Sequence, residues 1–200
     1  SVILFLSRGK IIMKNRWLKI ISILLIFIGS SLSLSTQAAV ELPKSIDHEG
    51  VELNLNGQGT RTMFFVKIYE SGLYLESANR SAEEVINQDS AMGIRLEVIS
   101  SMLTADSMKK AINEGFVKST NDNTQPITDQ INQFMATLDD AIEVGDVYEF
   151  IYLPVNGVKV IKNSKHLDTI AEFDFKKAFF GIWLSDNPVQ KSLKKAMLGN

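Results

Sequence analysis

Val51, Leu53 and Leu55 alternate with Glu52, Asn54 and Asn56. A period of two with one apolar face predicts a half-buried strand. Asn56-Gly57-Gln58-Gly59 comes next and reads as a turn, since glycine tolerates positive φ. Residues 61–69, with Met63-Phe64-Phe65-Val66 at their centre, then predict a strongly apolar strand. Ser71-Gly72 interrupts it and Leu73-Tyr74-Leu75-Glu76 resumes. One long strand with a bulge at the glycine, or two strands in a tight bend, would both fit. Ile94, Leu96 and Val98 alternate with Arg95 and Glu97 as a further strand. Gly145-Asp146 turns into the aromatic and β-branched run Val147–Leu153. Asn156-Gly157 predicts a hairpin to residues 158–162, and Asn163-Ser164 another turn.

The helical segments show a different period. Ser81 caps a short helix, with Glu84 in the capping-box position. Thr104 caps a second, whose apolar positions Met108, Ala111, Ile112 and Phe116 fall on one face. Thr124 and Pro126 begin a third, with Ile127, Ile131, Phe134, Met135, Leu138 and Ile142 on one side. Phe175, Ala178, Phe179, Ile182 and Trp183 form a very apolar fourth face, more in keeping with a core than with a pocket. Asn187-Pro188 supplies a cap and an N1 proline for the last helix, and Gly199 ends it. No repeat or linker divides these elements. They predict one α+β domain, an antiparallel sheet with helices packed on one face.

The first 38 residues read as an address. From Met13, Lys14, Arg16 and Lys19 form a positive stretch, residues 20–28 are apolar apart from Ser22, and small residues lead to Thr36-Gln37-Ala38. That is the order of a secretory signal peptide. Residues 1–12 read as an overlong start. Cleavage after Ala38 is expected, giving a domain of residues 39–200 in the periplasm, with no stable membrane span after processing. An uncleaved anchor is the weaker reading, because the apolar stretch is short for a span of about 20 residues.

Composition narrows the chemistry. There is no cysteine, and the two histidines are His48 and His166, so no metal site, disulfide scaffold or thiol nucleophile is expected. Both histidines read as exposed loop residues. Residues 1–38 hold five basic side chains and no acid, leaving 16 basic against 23 acidic for residues 39–200, a net of −7. Such a domain repels phosphate backbones, and no nucleic-acid partner is expected. Lys191, Lys194 and Lys195 suit the end of a helix instead. No P-loop, dinucleotide fingerprint, nucleophile elbow or calcium loop is present, and no cofactor is expected.

Arg61 is the candidate that remains. It stands between a Gly-x-Gly segment and the apolar Met63-Phe64-Phe65-Val66, which would wall an apolar cleft. A guanidinium keeps its charge, so it must meet an anionic or strongly polar partner or snorkel to water. Lys67, Tyr69 and Tyr74 lie downstream and would line the same cavity.

Asn56-Gly57-Gln58-Gly59-Thr60-Arg61, then Lys67-Ile68-Tyr69 and Gly72-Leu73-Tyr74-Leu75-Glu76, resemble the chalcone isomerase-like superfamily, closest to its exported bacterial branch. Gly181-Ile182-Trp183-Leu184-Ser185, Asn187-Pro188 and residues 193–199 resemble that branch's C-terminal signature. The resemblance spans most of residues 40–199. It implies an open-faced β-sandwich, a large antiparallel sheet and a helical layer enclosing an apolar cleft. In the plant enzymes an arginine after the glycine segment helps bind and polarise the flavonoid, and Arg61 matches it. Their strand threonine falls at Tyr69, and their helix tyrosine at Met108. The connection from Arg61 to the Gly72 block is also shorter. Methionine cannot supply a phenolic proton, so the arginine survives without the hydroxyl network. Non-enzymatic relatives bind fatty acids, with the arginine gripping the carboxylate.

The resemblance therefore makes Arg61, Tyr69 and Met108 the expected ligand-binding residues, for a small amphipathic or apolar ligand. Arg61, then Tyr69, are the candidates for any catalysis. Three readings stand: a non-catalytic periplasmic binder of an acid such as a fatty acid; an intramolecular lyase or isomerase acting on a chalcone- or enone-like substrate; and a structural periplasmic domain.

Overall fold

A computed structural model describes residues 40–200. The segment expected to be a secretory signal, and the cleavage expected after Ala38, lie outside the described residues. Seven strands form one antiparallel sheet in strict sequence order: β1 (Ser45–His48), β2 (Val51–Met63), β3 (Val66–Leu75), β4 (Met92–Val98), β5 (Val147–Leu153), β6 (Gly157–Lys162) and β7 (Lys165–Ile170). The sheet is curled and open. Five helices accompany it: α1 (Ala82–Asn87), α2 (Ala105–Ser119), α3 (Thr128–Ala136), α4 (Phe173–Leu184) and α5 (Lys191–Met197). This is the expected α+β architecture, a large antiparallel sheet with a helical layer on one face.

The two faces carry different cores. Leu73, Ile94, Leu96, Phe150 and Val160 face the helices, where Phe116, Phe134, Phe179 and Trp183 fill the space. The Phe179 ring lies 4.8 Å from Phe134 and 5.0 Å from Phe150. Nine of the twelve α4 residues, Phe175, Lys176 and Ala178 to Leu184, are buried, so this helix is core all round. The opposite face holds a smaller cluster of Ile46, Leu53, Tyr74, Ile151 and Ile161.

Several local expectations are corrected. Residues 56–59 are not a turn: β2 runs straight through them. Gly57 and Gly59 do not have positive φ. A Cβ on Gly57 would lie 2.2 Å from the Ala196 carbonyl oxygen, and one on Gly59 would lie 2.8 Å from Ala196 Cβ. These glycines let α5 lie against the strand. The reversal comes later, at Phe64-Phe65, so residues 61–69 are two strands rather than one. Ser71-Gly72 lies inside β3, which is continuous; the irregularities fall at Asn56 of β2 and Ile68 of β3, each an extra residue in the β2–β3 register.

α3 ends at Ala136, leaving Leu138 and Ile142 in the loop beyond it. α5 begins at Lys191 rather than at Asn187-Pro188, because Gln190, in the N-cap position, turns its side chain onto β2. His48 and His166 lie on β1 and β7 rather than in loops. Thr104 does cap α2, completed by Ser107 as a capping box. Ser81 caps α1 through the Glu84 amide, while the Glu84 carboxylate accepts from Asn79 instead of closing the box.

Among the described residues, Lys176 is the one fully buried cation. Its Nζ donates to the carbonyls of Val85, Ile86 and Gln88 at 3.0, 2.7 and 2.8 Å. It thereby pins the C-terminal end of α1 to α4, satisfying carbonyls the helix leaves orphaned.

Candidate ligand site at Arg61

Arg61 lies near the end of β2, directly opposite Tyr69 of β3. Tyr69 belongs to the core under the helices, so the pair faces the helical layer. The extra residue at Ile68 puts two successive β3 side chains, Ile68 and Tyr69, into that core. A bulge beside a functional side chain is a common way to re-aim it.

Arg61 is half-buried. Its Nη1 donates to the Thr62 carbonyl and, at 3.0 Å, to Gln190 Oε1. Among the described residues, no carboxylate lies within salt-bridge distance of it. Gln190 Oε1 also accepts from the Thr62 amide at 2.9 Å, and its Nε2 donates to the Thr60 carbonyl at 3.2 Å. This one amide thus ties the start of α5 to three successive residues of β2. Sequence reasoning missed Gln190, and no spacing signal points to it.

Tyr69 is buried, and its Oη accepts from Trp183 Nε1 at 3.2 Å. Burial pushes the phenol pKa up; the Trp183 hydrogen bond and the Arg61 charge oppose that rise. The phenol is therefore neutral and carries a proton it can donate. Ser71, two residues on, is fully buried between Gly59 and Leu96, and its Oγ has no hydrogen-bond partner. An orphaned buried hydroxyl costs about 1–3 kcal/mol, so it marks a polar foothold in an otherwise apolar layer.

Met108 lies on the buried side of α2, in the same apolar core as Tyr69. It presents a thioether and no proton. Tyr74 is on the other face of the sheet, donating to the Pro43 carbonyl at 2.8 Å, so it does not share this site. Burial pushes its pKa up to about 12. Lys67 is exposed. Met63, Phe64, Phe65 and Val66 are exposed as well, Phe64 and Phe65 almost fully. The five surface clefts described, about 240 to 410 Å³ each, are lined by other residues than Arg61, Tyr69 and Met108. Beside Arg61 stand Tyr69, bonded to Trp183, and Gln190 at the start of α5.

Among the described residues, no cluster of metal-ligating side chains occurs. No helix among them is long and apolar enough to cross a membrane.

Comparison with known proteins matches residues 34–199 to the family model described as chalcone isomerase-like. A crystal structure of a fatty-acid binding protein of Arabidopsis thaliana has the same fold, with a TM-score of 0.58 at 15% identity, covering 78% of this chain and 90% of that one. No curated protein matches.

Proposed function

Because the chain belongs to the chalcone isomerase-like family, we propose that it binds a small amphipathic acid, such as a fatty acid, without catalysis, with Arg61 holding the carboxylate. The observation that carries this reading is the half-buried guanidinium facing the helical layer with a neutral amide, rather than an acid, on its Nη1. Gln190 Oε1 occupies the acceptor position that a carboxylate would take. A carboxylate brings the opposite charge and two oxygens that match the guanidinium fork, which a neutral amide oxygen does not, so an acid displaces the amide. Tyr69 then donates its phenolic proton to the second carboxylate oxygen, and Ser71 offers a hydroxyl deeper in the layer. Release of Gln190 loosens α5 from β2, and the tail follows between sheet and helices, where burial contributes about 0.8 kcal/mol per methylene. The Arabidopsis relative's description as a fatty-acid binding protein supports the choice of ligand.

Titration with palmitic acid and with its methyl ester tests the reading. Arg61→Ala is expected to weaken the acid by about ten- to a hundredfold, the worth of one charged hydrogen bond. It leaves the ester nearly unchanged. Arg61→Lys recovers part of the loss, since the planar fork is gone. Equal losses for acid and ester would reject a head-group role.

The second half of the proposal is place: the chain acts in the periplasm, released after Ala38. The Lys14 to Ala38 pattern supports it. N-terminal sequencing of periplasmic protein should begin at Ala39 or within a residue or two. Membrane-retained protein with Met13 intact would reject it.

A further inference from the structure

The β2–β3 hairpin closes through two residues, Phe64 and Phe65, between the paired Met63 and Val66. Their φ angles are 49° and 68°, the positive values of a type I′ turn. Such turns select Asn-Gly, because a side chain in the left-handed region meets its own backbone. Here both positions hold phenylalanine, and the two residues are 83% and 102% exposed. Backbone strain and exposed aromatic surface coincide at the same two residues, where Asn-Gly would relieve both. A tip that violates its local rules twice points to something outside the molecule.

The rest of the exposed apolar surface gathers around it. Of the seven large apolar side chains exposed among the described residues, Met63, Phe64, Phe65, Val66, Met102 and Val144 lie at one end of the sheet. Met102 follows Ile99 and Ser100, whose amides donate to Ile68 at the start of β3. Val144 precedes Gly145, whose amide donates to Val98 at the end of β4. Val155, the seventh, sits at the opposite end, in the β5–β6 turn.

We propose that this end of the sheet docks on a lipid bilayer, with Phe64 and Phe65 inserted into the interface. Shape and area choose the bilayer over a protein. A stable protein interface buries about 800 Å² on each side with a complementary surface. A two-residue turn is a point, and its two rings offer about 150–250 Å² each. That suits insertion into a fluid, with the aromatic rings at head-group depth. Charge sets the lipid class. Residues 39–200 carry a net of −7, and acids such as Asp140 and Glu143 lie on the loop that bears Val144. Attraction to anionic lipid does not drive the docking; apolar insertion into zwitterionic lipid does. The docking is a property of the tip and does not depend on what Arg61 binds.

The test uses residues 40–200, a compact unit carrying both apolar clusters, so that the apolar segment before it contributes nothing. Sedimentation with pure phosphatidylcholine vesicles should carry this protein down. The double variant Phe64→Asn/Phe65→Gly places the preferred residues in the turn, so it should melt no lower than the parent. Its vesicle partitioning should fall by about a hundredfold or more, the worth of two inserted rings. Failure of the parent to bind, or equal binding by the variant, overturns the proposal. Self-association of the parent that the variant abolishes, without vesicle binding, also overturns it and makes the tip a contact with a second copy.

Discussion

Trp183 Nε1 donates to Tyr69 Oη, so a side chain of α4 reports directly on the phenol opposite Arg61. The other tryptophan, Trp17, lies in the segment expected to be removed. In residues 40–200 the fluorescence of Trp183 is therefore a built-in probe of the site. Adding palmitic acid should shift its emission, and Tyr69→Phe, which removes the hydroxyl, should shrink that shift and weaken the acid by about three- to tenfold. An unchanged spectrum at saturating acid would place the ligand elsewhere.

Gly57 predicts the cost of filling a close approach. A methyl there meets two α5 carbonyl oxygens, Ala196 at 2.2 Å and Met197 at 2.8 Å. The helix must lift, because backbone cannot swing aside as a side chain can. Gly57→Ala should destabilise by about 1–3 kcal/mol, lowering the melting midpoint by several degrees. A calorimetric scan decides it; an unchanged midpoint would show that α5 does not rest on β2.

Lys176 gives a pH dependence with a definite sign. Burial draws its pKa from 10.5 down to about 8. Between about pH 8 and 10.5 the unfolded chain holds a proton that the folded chain has shed. Stability from this group therefore rises with pH across that window and is level below it. Lys176→Met should abolish the rise relative to the parent. At pH 7 it should also destabilise by about 2–4 kcal/mol, since three carbonyls lose their donor. Denaturant titrations at pH 7 and pH 9.5 measure both effects.

Met108 predicts the outcome of an enzyme assay. At the position the resemblance assigns to a tyrosine stands a buried thioether with no proton to give. The protein should not hasten the loss of chalcone absorbance. Rapid, stereoselective flavanone formation that vanishes in Arg61→Ala would restore an isomerase.

Where the sequence was legible, one physical cause acted alone. Ile94, Leu96 and Val98 alternate because β4 has one face against the helices, and Thr104 caps because a helix start orphans its amides. It misled where two causes share one residue type. Gly57 and Gly59 read as a turn through their torsional freedom, yet they serve as bare surface for α5. Phe64 and Phe65 read as strand through their hydrophobicity, yet they form the turn. β1 and β7 were invisible because Ser45–His48 and Lys165–Ile170 are short, edge-lying and half polar. Arg61 was legible as a lone cation beside apolar residues. Gln190 was not, since its role exists only once α5 has met β2.

The sequential strand order also sets a timetable for assembly. Each strand pairs with its neighbour in the chain; tight turns join β1 to β2, β2 to β3, β5 to β6 and β6 to β7 at little loop-closure entropy, while β3–β4 and β4–β5 pair across the helical segments α1 and α2–α3. The bond between Gln190 and Arg61 is of another kind, bridging 129 positions. A long-range closure of that sort rewards the chain only after the intervening strands have formed. The proposed acid site thus closes late in folding and is the natural place for the native protein to open first, well before the sheet itself comes apart.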